Sequence, residues 1–157
     1  MSAAVPTGLA DDRPAPDFTA RNQHGQDVTL SALRGAPVVL VFYPWAFSGI
    51  CTGELQGLRD EQHRFEAVGA RLLAVSCDPM FSLRAFADAE GIGFDLLSDH
   101  WPHGAVAAAY GVFDDAVGVA RRGSFVLDAA GRVTWSVVNG IGEPRDIAAH
   151  LAALPAG

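Results

Sequence analysis

An unbroken apolar run, followed after a short loop by a helical pattern, constrains the fold more than any other feature of this sequence. The run Val38–Tyr43 ends at Pro44, which is typical of a buried strand. The loop that follows contains Gly49, and Cys51 lies at the start of the predicted helix. The unpaired amides of a first helical turn carry partial positive charge and favour a thiolate. The sequence therefore predicts a strand–loop–helix unit that prepares Cys51 as a nucleophile.

The helical pattern after Cys51 has one apolar face, and a second buried strand follows it. This apolar face consists of Leu55, Leu58, Phe65 and Val68. The run Arg71–Cys77 predicts the second strand, which a right-handed crossover places parallel to the first. Asp78 is the predicted N-cap of the next helix, with Pro79 in its first position and Gly91 at its end.

The remaining segments complete an α/β pattern. Phe18–Leu30 predicts a β-hairpin, a second hairpin turns at Gly131, and Pro144–Leu154 predicts a terminal helix. This order predicts a thioredoxin-like α/β sandwich, in which a mixed central β-sheet is flanked by helices. We expect residues 15–157 to form a single domain, preceded by a loose N-terminal arm over residues 1–14.

Composition limits the classes of partner and compartment. The chain has 157 residues, 50% of them hydrophobic, and a net charge of -7, which disfavours nucleic acid and anionic membranes as partners. No signal peptide or membrane span is visible, and two cysteines are too few for a disulfide scaffold, so we predict a cytoplasmic protein. His100 and His103 alone are too few ligands for a metal site, and we predict neither a metal nor a cofactor.

The motif around Cys51 resembles the active site of the peroxiredoxin family. The residues Pro44-x-x-x-Ser48-x-x-Cys51 match the family pattern Pro-x-x-x-Thr/Ser-x-x-Cys. Other segments that resemble family landmarks, in the same order, are Ala15–Phe18, Leu97–Asp99, Ala109–Val112 and Arg122–Asp128. Within the family, Phe47–Leu55 and Trp101–Val106 are most similar to the AhpE-type one-cysteine peroxiredoxins.

This resemblance implies a thiol-dependent peroxidase that reduces hydrogen peroxide and organic hydroperoxides, with peroxynitrite as a further candidate. Cys51 would attack the peroxide and become a sulfenic acid. The Ser48 hydroxyl would donate a hydrogen bond to the peroxide, and Pro44 would shield the thiolate. Serine keeps the hydroxyl of the family's usual threonine but lacks the methyl group that restricts its rotamer.

The resemblance also assigns the charged residues around the thiol. Arg122 would contact both the thiolate and the peroxide, because a guanidinium stays charged and offers donors in a fixed fork. Arg121 is adjacent, but on a strand it would point to the opposite face. Glu54 would orient Arg122, and Arg145 would in turn hold Glu54.

The chain lacks a cysteine at the usual positions of a resolving thiol, which leaves the recycling step open. The resemblance implies an external reductant, such as mycothiol or a thioredoxin- or mycoredoxin-like protein, and a homodimer or larger homo-oligomer. Cys77 ends an apolar strand and is either an inert core thiol or an accessory, resolving thiol of a two-cysteine enzyme. A third alternative is a peroxide sensor that relays the oxidation of Cys51 to a partner protein.

Overall fold

A mixed β-sheet with helices on its faces forms the centre of the computed structural model, which describes residues 12–140 and 143–154. The strands of this part of the chain are β1 (Thr19–Arg21), β2 (Asp27–Thr29), β3 (Val38–Phe42), β4 (Arg71–Ser76), β5 (Asp95–Ser98), β6 (Phe113–Asp114), β7 (Val119–Ala120), β8 (Arg122–Leu127) and β9 (Val133–Asn139). The helices are α1 (Gly49–Asp60), α2 (Gln62–Ala67), α3 (Met80–Glu90), α4 (Ala105–Ala109) and α5 (Ile147–Ala152), and a 3-10 turn follows β2.

The strand order of the main sheet is β2-β1-β5-β4-β3-β8-β9, with β6 and β7 forming a separate two-stranded sheet. Strand β3 runs parallel to β4, where Val41 lies beside Ala74, and antiparallel to β8, where Val41 lies beside Ser124. The two predicted hairpins are β1–β2 and β8–β9. The predicted α/β sandwich with a mixed central sheet is therefore confirmed.

The sheet has a hydrophobic core on each face, because successive strand residues point to opposite sides. On one face, Leu40 and Phe42 pack with residues from the N-terminal hairpin and α4. On the other face, Val39 and Val41 pack with the apolar sides of the first three helices, and Cys51 lies in this second core. Cys51 is thus placed on the face of the sheet that the longest helices cover.

Two local predictions need correction. The helical pattern after Cys51 is divided at Glu61, where α1 ends and α2 begins, although the predicted apolar face is buried or packed against the core as expected. The predicted N-cap at Asp78 is wrong, because Pro79 occupies the cap position and α3 begins at Met80. The Asp78 carboxylate instead accepts hydrogen bonds from Ala46, in the loop between β3 and α1, and from Ser76 of β4.

The predicted N-terminal arm lies outside the described residues up to residue 11, and its last residues run beside β9. The Asp12 amide donates to the Val133 carbonyl at 2.6 Å, and the Val133 amide donates to the Arg13 carbonyl at 2.8 Å. Within residues 12–140 and 143–154, no helix is long and apolar enough to cross a membrane.

Candidate active site

Cys51 is the third residue of α1 and is completely buried, with 0% of its surface exposed. The N-cap residue of this helix is Ser48, which has an extended backbone conformation. Its side chain makes no capping hydrogen bond. Because the Ser48 side chain does not cap the helix, the first-turn amides of α1 can donate to an anion or a polarised oxygen beside the sulfur.

The loop between β3 and α1 contains the other two residues of the sequence motif. Pro44 is buried where β3 ends, and Ser48 is half-buried at the entrance to α1. The Ser48 hydroxyl donates to the Trp45 carbonyl at 3.0 Å, so its hydrogen is already engaged while its lone pairs can still accept.

Contacts from two other elements hold this loop against the protein. Oδ2 of Asp78 accepts a hydrogen bond from the Ala46 amide at 2.9 Å. Phe47 has a left-handed backbone, with φ of 69°, and its ring packs edge-on against Phe86 of α3 with centroids 5.0 Å apart. A left-handed conformation is uncommon for a residue other than glycine, so these contacts are what maintain the shape of the loop.

Arg122 brings the sulfur and a carboxylate together. It is the first residue of β8 and is 2% exposed. One terminal nitrogen, Nη2, donates to the Cys51 Sγ at 3.3 Å, while Nη1 donates to the Glu54 carboxylate. Glu54 is buried one turn after Cys51 on α1, so the guanidinium fork bridges two neighbouring side chains of the same helix. Arg121 lies before the strand and is only half-buried.

Arg145 binds the other oxygen of Glu54 and ties it to the sheet. Its backbone amide donates to Glu54 Oε2 at 2.6 Å. Its buried guanidinium donates to Ser124 Oγ at 2.8 Å, to the Gly123 carbonyl at 3.0 Å and to the Phe42 carbonyl. Burial lowers the pKa of Arg145 to about 10, against the opposing effect of Glu54, so the side chain is cationic at neutral pH.

The Ile147 side chain, close in sequence to Arg145, packs against α1. Arg145 lies just before α5, whose first residue is Ile147. A Cβ atom added to Gly57 of α1 would lie 2.6 Å from Ile147 Cδ1. A larger residue at position 57 would therefore require the end of the Ile147 side chain to move.

The model of the AhpC/TSA family matches residues 12–136, which is most of the chain. The chain belongs to this family, and it is a peroxiredoxin. It is 50% identical to alkyl hydroperoxide reductase E of Mycobacterium tuberculosis over 133 residues, which are 84% of this chain and 87% of that protein. It is 31% identical over 139 residues to alkyl hydroperoxide reductase C of Staphylococcus aureus, covering 85% of this chain and 72% of that one.

Solved structures agree with this assignment. The peroxidoxin BcpB of Mycobacterium tuberculosis superposes with a TM-score of 0.80 at 33% identity and covers 94% of each chain. The AhpC of Enterococcus faecalis superposes with a TM-score of 0.83 at 27% identity, covering 91% of this chain and 90% of that one. The thioredoxin-like fold is thus confirmed, and this peroxiredoxin is a thiol-dependent peroxidase.

Two buried polar residues of this peroxiredoxin were not predicted from the sequence. Ser124 of β8 accepts a hydrogen bond from Arg145. On its other side, Ser124 Oγ lies 2.7 Å from Nε2 of His150, a residue of α5. Ser124 is a hydroxyl residue inside an apolar strand, and His150 lies on the apolar face of the terminal helix. A polar side chain at a position that the periodicity assigns to the core was the available signal for both.

Cys77 follows β4 and is also buried. Burial, together with the negative charge of Asp99, raises the pKa of its thiol to about 12. Cys77 is therefore protonated at neutral pH, and a protonated thiol is a poor nucleophile. Among residues 12–140 and 143–154, no group of three or more His, Cys, Asp and Glu side chains is arranged to hold a metal ion.

Proposed function

We propose that Cys51 is the peroxide-reducing thiol of this enzyme. The observation that carries the proposal is the hydrogen bond from Arg122 Nη2 to Cys51 Sγ at 3.3 Å, made by a guanidinium that Glu54 holds from its other side. A cation so placed favours the thiolate. Because the relative from Mycobacterium tuberculosis is named an alkyl hydroperoxide reductase, the proposed substrates are hydrogen peroxide and organic hydroperoxides, with peroxynitrite as a further candidate.

In the proposed first step, the Cys51 thiolate attacks one peroxide oxygen, and the S–O bond forms as the O–O bond breaks. Cys51 is oxidised to a sulfenic acid, and the leaving alkoxide or hydroxide takes a proton from water. Arg122 and the first-turn amides of α1 are the donors available to the polarised oxygens. Ser48 can accept from a peroxide hydroxyl, or can donate to it after turning away from Trp45, and buried Pro44 keeps water from the sulfur.

In the proposed second step, a thiol from outside the chain reduces the sulfenic acid. This thiol attacks the Cys51 sulfur, a mixed disulfide forms and water leaves. A second thiol then breaks that disulfide and regenerates Cys51. Cys77 is unsuited to this role, because its pKa of about 12 leaves it protonated. Mycothiol and a thioredoxin- or mycoredoxin-like protein are the candidate reductants.

Mass spectrometry after one equivalent of peroxide tests this recycling scheme. We expect Cys51 to gain one oxygen and to be trapped by dimedone. The other cysteine, Cys77, is protonated at neutral pH and should not attack the sulfenic acid. Addition of a small thiol such as mycothiol should then convert the product to a mixed disulfide on Cys51. The Cys77→Ser variant is the matched control and should give the same products while keeping most of the oxidation rate.

Other products would assign a different recycling route. Loss of two hydrogens from the monomer within one turnover, dependent on both cysteines, would identify a two-cysteine enzyme that uses Cys77. A sulfenic acid that small thiols and thioredoxin-like proteins leave unreduced would contradict turnover and favour a sensor that passes its oxidation to a specific partner.

We propose in addition that the enzyme is a homodimer or larger homo-oligomer. Two large aromatic side chains, Phe81 and Trp101, are 76% and 85% exposed and line the same open groove, which supports an apolar contact between copies. Sedimentation velocity should show an assembly larger than the 16.5 kDa chain, and Trp101→Glu should shift it toward the monomer. The exposed control His63→Glu should leave it intact, and a monomeric parent protein would contradict the proposal.

A further inference from the structure

A chain of buried hydrogen bonds extends from the Cys51 site to the terminal helix. Arg145 Nη1 lies 2.8 Å from Ser124 Oγ, and Ser124 Oγ lies 2.7 Å from His150 Nε2. The other ring nitrogen, His150 Nδ1, lies 2.6 Å from the Asp146 carbonyl oxygen. His150 is 1% exposed, and the contacts of Ser124 with Arg145 and His150 are buried, whereas Asp146 lies at the surface. None of the peroxidase steps described above uses His150.

Only one arrangement of hydrogens satisfies this chain while the imidazole is neutral. A guanidinium can only donate, so Ser124 Oγ accepts from Arg145. A carbonyl can only accept, so His150 Nδ1 must carry the hydrogen that it donates to Asp146. His150 Nε2 is then an acceptor, and the Ser124 hydroxyl donates to it. The histidine thus directs the hydroxyl hydrogen away from Arg145 and turns a lone pair toward the guanidinium.

The electrostatic surroundings keep the imidazole in this neutral form. Burial lowers the pKa of His150, and the positive charge of Arg145 lowers it further, while the contacts with Asp146 oppose this shift. Two neighbours on the facing strands are uncharged: Ser124 of β8, and Trp135 of β9, whose ring centroid lies 5.1 Å from that of the imidazole. A proton on Nε2 would make both Arg145 and His150 donors to Ser124 Oγ, so neither could accept the hydrogen of the serine hydroxyl.

We propose that His150 is a positioning residue for the peroxide-reducing site, acting through Ser124 to orient Arg145 and, through Arg145 and Glu54, the Arg122 fork at Cys51. The proposal rests on the function proposed above for Cys51. The links join buried groups. The Arg145 guanidinium, which binds Ser124, also places Nε 3.6 Å from Glu54 Oε1, the oxygen that Arg122 binds, while the Arg145 backbone amide donates to Oε2. In a buried network of this kind, the loss of one acceptor changes the geometry of its neighbours.

One substitution that removes the hydrogen-bond acceptor at position 150 and one that restores it test the proposal. His150→Phe keeps an aromatic ring against Trp135 but removes the acceptor, so we expect the rate constant for Cys51 oxidation by hydrogen peroxide to fall by about 3- to 10-fold. His150→Gln places an amide oxygen near the Nε2 position and should recover most of that loss. The control His63→Gln removes an exposed histidine and should oxidise at the parent rate.

A double-mutant cycle identifies the route of the effect. In a Ser124→Ala background the link is already broken, so adding His150→Phe should cause no further loss of rate. The free energy of unfolding, measured for the same variants in denaturant, separates this coupling from a general loss of stability. If His150→Phe does not fold, His150→Asn replaces it, because asparagine is too short to reach Ser124.

Three results would overturn the role of His150. They are parent-like oxidation in His150→Phe (or in His150→Asn where that variant replaces it), equally slow oxidation in His150→Gln, or losses that multiply in the Ser124→Ala background. Each leaves the function of Cys51 intact if the parent protein is oxidised at that residue. A parent protein that peroxide does not oxidise at Cys51 would overturn both proposals, so the two failures are distinguishable.

Discussion

The Cys51→Ser variant is expected to reduce no peroxide above the background rate of the reductant alone. A serine hydroxyl stays protonated at neutral pH and cannot take up a peroxide oxygen, so the S–O bond-forming step is lost rather than slowed. Serine is close in size to cysteine and is tolerated in a first helical turn, so the fold should persist. Peroxide consumption with a thiol reductant measures the activity, and circular dichroism with denaturant unfolding checks the structure.

The matched control for this prediction is Cys77→Ser. Both positions are buried, so both substitutions place a hydroxyl in the protein interior. Cys77→Ser should keep most of the single-turnover oxidation, because its thiol is protonated and does not take part in the attack. Peroxide reduction by Cys51→Ser at the parent rate, or its loss in Cys77→Ser alone, would show that the wrong thiol has been assigned.

The arrangement of the sheet could be predicted because local patterns and a handedness rule both specify it. The continuous apolar runs that became β3 and β4, separated by a helical segment, allow essentially one right-handed parallel pairing. Details that depend on competing polar contacts could not be predicted. Asp78 followed by Pro79 is a typical N-cap pattern, but the Asp78 carboxylate accepts hydrogen bonds from the Ala46 amide and the Ser76 hydroxyl instead. An N-cap contributes about 1 kcal/mol, whereas a hydrogen bond to a charged group contributes about 1.5–3 kcal/mol.

Residues of the candidate site that lie close together in the sequence could be predicted from their spacing. Residues that reach the site through tertiary contacts could not. Pro44, Ser48 and Cys51 lie within one loop and the first turn of α1, so their spacing alone is informative. Arg122 comes from a distant strand, and its place beside Cys51 was inferred from the family resemblance. Nothing in the sequence indicates that His150 lies opposite Ser124, because that contact depends on how α5 packs against β8.

The buried charges of this site explain why its geometry should matter more than its net charge. Arg122 and Arg145 bind one carboxylate between them, and all three side chains are shielded from solvent. Removing one member of a buried ion pair typically costs about 3–5 kcal/mol, because the remaining charge loses its partner in a medium of low dielectric constant. Positions of this kind tolerate a change of charge poorly. A change of shape at constant charge therefore tests the role of the guanidinium fork most directly.

Replacing Arg122 with lysine is expected to slow the oxidation of Cys51 by hydrogen peroxide on the order of 10-fold or more, a barrier change above ~1.4 kcal/mol. Lysine keeps the charge but has a single nitrogen, which cannot bind Glu54 and Cys51 as the two terminal nitrogens of Arg122 do. Stopped-flow measurement of single-turnover oxidation gives the rate constant. Alkylation by iodoacetamide, which needs the thiolate but no stabilised oxygens, should slow less. Arg121→Lys is the matched control and should change neither rate. Equal losses of rate at both positions would show that the contact of Arg122 with Cys51 does not promote the oxidation.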